Sequence, residues 1–76
     1  MMMASDRLIS SAQDAGKLIQ ERRRALKMSQ EVLSSLTGVA QPNLSKIERG
    51  GSSATLDTYL RLFAALGIDL RGEARS

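Results

Sequence analysis

The chain has 76 residues, 42% hydrophobic and 25% charged, with a net charge of +3. That length makes one small domain at most. With neither cysteine nor histidine, it excludes disulfides, Ser-His-Asp and Cys-His catalytic arrangements and the usual zinc ligand sets.

The remaining carboxylates are scattered among basic residues. No catalytic residue, metal ligand or cofactor is expected, and the chain is not expected to be an enzyme. The excess of positive charge favours a polyanionic partner. Met1–Met3 is apolar, but Ser5, Asp6 and Arg7 interrupt it, so it does not read as a signal peptide. No apolar run approaches the roughly 20 residues needed to span a bilayer. A cytoplasmic protein without a membrane partner is expected.

Residues 1–10 carry no sustained period and read as a flexible arm. Ser11-Ala12-Gln13-Asp14 fits a capping box with an acidic residue in the last place. Ala15, Leu18, Ile19, Arg22, Ala25 and Leu26 follow at spacings of three and four, which predicts a helix over Ser11–Lys27. Ser29 is the next cap, Val32, Leu33 and Leu36 make a short apolar face, and Gly38 ends a helix over Gln30–Thr37. Gly38-Val39-Ala40 is a tight connection. Pro42 suits the first turn of a third helix, Gln41–Arg49, because first-turn amides are unpaired in any case. Gly50 and Gly51 end it. Thr55 caps a fourth helix over Leu56–Leu66, with Leu56, Tyr59, Leu60, Phe63 and Leu66 on its apolar face, Leu62 partly included, and Gly67 as the stop. Ile68-Asp69-Leu70-Arg71 alternates apolar and polar, which predicts a short strand. Its backbone groups would need a partner, most simply a second copy of the chain.

Two short helices joined by a three-residue turn containing glycine are a helix-turn-helix pattern on spacing alone. The string Arg23 … Met28-Ser29-Gln30-Glu31 … Leu33 … Thr37-Gly38-Val39 … Leu44-Ser45-Lys46-Ile47-Glu48-Arg49-Gly50, followed by Thr55-Leu56 … Leu60 … Leu66-Gly67, resembles the Cro/C1-type, or XRE, family. The resemblance implies an all-α, lambda-repressor-like DNA-binding domain of four helices, five at most, with a short C-terminal strand. It places the domain at residues 11–67 and a dimerising tail at 68–76.

The resemblance also assigns roles. Gln41, Pro42, Asn43 and Lys46 would face base edges. Gln and Asn can bond adenine bidentately, Lys can donate to guanine, and Pro42 can touch a thymine methyl. For Lys46 a base and a phosphate both stay open. Ser29, Gln30, Ser45, Arg49, Gly51 and Ser52 would meet backbone phosphate, helped by the free amides at the start of the second helix. Arg22, Arg24 and Lys27 are either distant electrostatics or a solvated face. Arg23 and Glu48 would form a structural ion pair. Leu33, Leu36, Val39, Leu44, Ile47, Leu60 and Phe63 read as core. Two positions depart from the family. Ala40 stands where a capping Ser or Thr is usual, which leaves Gln41 as a partial cap, and Ser34 replaces an alanine, its hydroxyl expected to bond the carbonyl of Gln30.

Residues Thr55–Leu70 resemble the HipB-like antitoxins of HipA-type toxin kinases. That implies Ile68 and Leu70 at a strand-paired homodimer interface, joined by Tyr59 or Phe63, and a HipA-like kinase as a further partner. The alternatives are a stand-alone phage-type or metabolic repressor, and an interaction domain that has lost DNA binding. In either repressor reading, a dimer would hold two recognition helices roughly 34 Å apart on a pseudo-palindromic operator.

Overall fold

The computed structural model describes residues 8–51 and 54–75. Among them the chain forms four helices: α1 (Ala12–Ala25), α2 (Gln30–Thr37), α3 (Gln41–Glu48) and α4 (Leu56–Ala65). Three of the four start on a side-chain cap. Ser11 Oγ accepts from the Asp14 amide at 3.0 Å, Ser29 Oγ from the Val32 amide at 3.1 Å, and Thr55 Oγ1 from the Thr58 amide at 3.2 Å. Each satisfies one of the amides that a helix start leaves free. The Asp14 carboxylate reaches back to the amide and hydroxyl of Ser10, both at 3.0 Å. That is one residue further out than a capping box requires.

Three helices end in the same way. The amides of Met28, Gly51 and Ile68 return to the carbonyls of Arg23, Lys46 and Phe63, and those of Lys27, Gly50 and Gly67 return to Arg24, Ile47 and Ala64. This pair of bonds is the Schellman motif, and its pivot residue is left-handed. Gly50 and Gly67 supply that conformation at φ 72° and 70°, whereas at the end of α1 it falls on Lys27 at φ 56°. The helix therefore stops at Ala25 with Leu26 as its C-cap, two residues short of the predicted Lys27, because no glycine in the sequence marks that turn. The third and fourth helices each end one residue early, at Glu48 and Ala65, because Arg49 and Leu66 are their C-caps.

The core consists of Ala15, Ile19, Leu33, Val39, Leu44, Ile47, Leu62, Phe63 and Leu66. α1 packs on α3, and α2 lies against both α3 and α4. The α1–α3 crossing is close. A Cβ on Gly16 would fall far inside van der Waals contact distance of the Ile47 carbonyl oxygen, so only glycine fits there.

Two residues expected in the core are exposed, Leu36 at 62% and Leu60 at 42%. On α2 the buried stripe is Leu33 and Thr37, one turn apart. Thr37 takes the second place because its hydroxyl is satisfied internally, donating to the Leu33 carbonyl at 2.7 Å. On α4 the buried face is rotated toward Leu62, which is fully covered, leaving Leu56 and Leu60 on the flank.

The expected C-terminal strand is absent: no strand forms among the described residues, and 68–75 are irregular. A lone extended segment has no ladder partner within one chain. Ile68 still packs against the core. Of the expected N-terminal arm, residues 1–7 lie outside the described residues, while Ile9 packs against the core and Ser10 is tied to Asp14. No helix of the described residues is long and apolar enough to cross a membrane.

Candidate nucleic-acid interface

The connection between α2 and α3 is held by side chains of α2. Gly38 turns the chain at φ 77°, and its amide closes α2 on the Ser34 carbonyl at 2.8 Å. Ser34 Oγ then donates to the Val39 carbonyl at 2.6 Å, not to the Gln30 carbonyl as expected. The turn brings Val39 O within reach, and that oxygen has no helical donor of its own. The Val39 amide donates to Thr37 Oγ1 at 3.3 Å. Both polar backbone groups of the turn's central residue are therefore satisfied from one helix, which sets the direction in which α3 leaves. Arg61 of α4 bonds the Thr37 carbonyl at 3.4 Å and the Asp57 carboxylate at 2.6 Å.

α3 buries Leu44, Ile47 and Glu48, so its opposite face points outward. Gln41, Pro42, Asn43 and Lys46 are exposed and Ser45 is half-buried. Pro42 and Lys46 lie one turn apart at the centre of this face, with Gln41 and Ser45 one turn apart beside them. Asn43 stands on the flank, where it lines a cleft of about 480 Å³ with Ala40, Thr58 and Arg61. Nothing caps α3 at Ala40. Gln41 does not substitute as a cap, and its exposed carboxamide is free for another partner.

Beneath this face lies the expected ion pair. Arg23 Nε and Nη2 fork onto the two carboxylate oxygens of Glu48 at 2.7 and 2.9 Å. Arg23 Nη1 donates to the Met28 carbonyl at 2.7 Å. Burial would push the Glu48 carboxyl up. Hydrogen bonds from Arg23, Gln30 and Gln20, with the guanidinium charge, outweigh it and hold the group below its ordinary value. The bond to Glu48 and its charge raise Arg23 further, against the desolvation that would lower it.

The structure thus brings Gln41, Pro42, Ser45 and Lys46 to one exposed face. Arg49 is exposed at its end, and Ser29 and Gln30 stand at the start of α2. Gly51 follows α3 in its closing turn, and Ser52 lies outside the described residues. Gln30 is not simply a solvated anchor, because its Nε2 donates to Glu48 at 3.1 Å. Arg22 belongs to the fold: its Nε donates to the Leu66 carbonyl at 2.9 Å and completes the C-terminus of α4.

Ile68 and Leu70, expected at a dimer interface, differ. The Ile68 amide closes α4, while Leu70 is 46% exposed. Leu70 lines an apolar groove of about 340 Å³ with Ile9, Ala15, Leu56, Tyr59 and Phe63. The Tyr59 hydroxyl is buried and, among the described residues, is the one such side-chain group with no hydrogen-bond partner.

Two residues escaped the sequence reading. Gly16 carries a usable signal, because a glycine inside a helical pattern costs about 1 kcal/mol and calls for a packing reason. Arg61 carries half of one, since its pair with Asp57 one turn earlier follows from spacing, while its bond to the Thr37 carbonyl is set by the approach of α4 to α2.

Comparison with known proteins agrees with this geometry. A helix-turn-helix family model (HTH_3) matches residues 19–72. An HTH-type transcriptional regulator of Haemophilus influenzae is 44% identical over 48 residues, covering 63% of this chain and 49% of that protein. The chain thus spans about half the length of the curated relative it matches. The restriction-modification controller protein C.AhdI of Aeromonas hydrophila superimposes with a TM-score of 0.71 at 33% identity, over 76% of this chain and 88% of that one. HipB in a complex with an O2 20-mer superimposes with a TM-score of 0.81 over 95% of this chain and all of that one. Its identity of 19% makes that a likeness of fold.

Proposed function

The chain belongs to the Cro/C1-type (XRE) helix-turn-helix family, and on that premise we propose that it is a sequence-specific, double-stranded DNA-binding transcriptional repressor acting as a dimer. The observation that carries this reading is the outward face of α3. Pro42 and Lys46, directly opposite the buried Leu44, Ile47 and Glu48, and Gln41 beside them are exposed, and their side chains make no hydrogen bond or ion pair within the described chain. A rigid helix presenting polar side chains with no internal partner is what base readout in a major groove requires. In this reading Gln41 and Lys46 bond base edges, Pro42 meets a thymine methyl, and Asn43 reads from the flank. Ser29, Gln30, Ser45, Arg49, Gly51 and Ser52 meet phosphate and fix the register without carrying sequence information.

One recognition helix reads about 4–6 base pairs, too few for selectivity in a genome. A dimer on a pseudo-palindromic operator supplies the rest, with the second copy seated against the tail around Ile68 and Leu70. The test is selection of bound duplexes from a random pool at defined salt. Enrichment of two half-sites one helical turn apart supports the reading, whereas uniform recovery of all sequences overturns it. Lys46→Ala should weaken binding and relax choice at one position per half-site. Gln30→Ala should weaken binding to all sequences alike.

A second reading is an antitoxin that represses its own operon and holds a HipA-like toxin kinase. The exposed apolar tail residue Leu70 beside an apolar groove favours a further protein contact. Co-purification with a HipA-like kinase encoded in the adjacent reading frame would support it. Full operator binding with no such neighbour would leave the stand-alone repressor.

A further inference from the structure

Three helices meet at Glu48. Its carboxylate, on the last turn of α3, is already forked by Arg23 of α1. The ion pair is complete without α2. Yet Gln30, the first residue of α2, also turns its Nε2 onto Glu48 Oε1. A carboxamide has a donor end and an acceptor end, and beside a carboxylate only the donor end is attracted. Glu48 therefore dictates which way the Gln30 amide lies. One of the two Nε2 hydrogens is spent on this bond, and the other remains.

We propose that Glu48 is a positioning residue for DNA: it holds the Gln30 carboxamide so that the remaining Nε2–H is presented to a backbone phosphate. This rests on the DNA-binding reading above. The carboxylate that closes the recognition helix also aims the anchor of α2, so anchor and reader share one register. A bare carboxylate beneath a phosphate site would repel the phosphate. The forked guanidinium of Arg23 cancels that charge and leaves the orienting hydrogen bond.

The experiment is a coupling cycle read on DNA affinity. Four proteins are compared: the natural chain, Gln30→Ala, the double variant Arg23→Met/Glu48→Met, and the triple variant. The paired replacement leaves no buried charge unpartnered. The probe is a 20-bp random-sequence duplex at about 50 mM salt, where phosphate contacts dominate affinity, and thermal unfolding by circular dichroism checks each fold. Gln30→Ala is expected to weaken binding about tenfold in the natural chain and less than about twofold in the double variant. A purely structural Glu48 would lower all affinities together and leave the Gln30 factor unchanged. Equal Gln30 factors in both backgrounds overturn the proposal, as does a natural chain that binds DNA indifferently to Gln30→Ala. If the natural chain shows no salt-dependent DNA affinity, the DNA reading itself fails. Should the double variant not fold, the same cycle with Glu48→Gln replaces it. That change converts one acceptor oxygen into a donor and is expected to shrink the Gln30 factor, with an unchanged factor again overturning the proposal.

Discussion

The seam between α1 and α3 and the outer side of α4 are built to different standards. In the seam, Gly16 lets two backbones touch, and a buried arginine and glutamate satisfy each other with a bidentate fork, joined by one further donor from Gln30. On α4 and the tail, Leu56, Leu60 and Leu70 are exposed and the Tyr59 hydroxyl is buried without a partner. A buried polar group without a hydrogen bond costs about 1–3 kcal/mol, and exposed leucines forgo burial energy. The seam is complete within one chain. The α4 side has the composition of a surface that something else covers. The difference fits the function proposed above, in which α3 must be held rigidly and the α4 side is left for a second copy.

The largest expected effect tests the close crossing. Gly16→Ala should destabilise the chain by about 3 kcal/mol despite the better helix propensity of alanine, because neither backbone can retreat. Urea unfolding that shows a gain in stability would mean the crossing relaxes freely. Next comes Glu48→Ala, which strands Arg23 in a buried site and should cost about 3 kcal/mol. The paired change Arg23→Met/Glu48→Met should cost clearly less, and the reverse order would mean that the pair itself supplies the stability.

Acid titration sharpens the same point. The Glu48 carboxyl is held below its ordinary value, so its contribution is fully present above that value and is lost as pH falls through the lowered one. Thermal melts between about pH 5 and pH 2 should show this loss, and Glu48→Gln should flatten it. A slope identical in the two proteins would assign the acid sensitivity to other carboxylates.

The α4 side should respond in the opposite sense. Leu60→Glu and Leu70→Glu should change the unfolding free energy of the monomer by no more than about 0.5 kcal/mol. The same changes should raise the dissociation constant of the proposed dimer, measured by sedimentation, at least about tenfold. Dimers of undiminished stability would place the interface elsewhere. The smallest effect is expected at the left-handed Lys27, where Lys27→Gly should raise stability by about 0.5–1 kcal/mol. No gain in a denaturant melt would show that the Schellman turn tolerates lysine at no cost.

Much of this molecule is legible in its residues because the information is local. Ser11, Ser29 and Thr55 act as caps where the spacing places them, since a cap needs only an amide three residues on. Gly38, Gly50 and Gly67 turn the chain where their freedom to adopt positive φ is needed. The string from Arg23 to Gly50 marks the helix-turn-helix and its ion pair. What the residues left ambiguous depends on how elements meet. Leu36 and Leu60 fit an apolar period, but an eight-residue helix and a rotated α4 bury other positions. Ser34 found Val39 across the turn, not Gln30 along the helix. Arg22 closed α4, a contact between residues far apart in sequence. The tail alternates like a strand, but a strand is a property of a pair, and one chain supplies only half of it.

The sequence by itself determined the helices, their caps and turns, and the residue types on the exposed face of α3, because each follows from contacts within a few positions. Tertiary structure alone decided which leucines are covered, that Gly16 admits α3, and that Gln30 lies against Glu48. Those depend on the angles at which finished helices cross, and no local rule sets them.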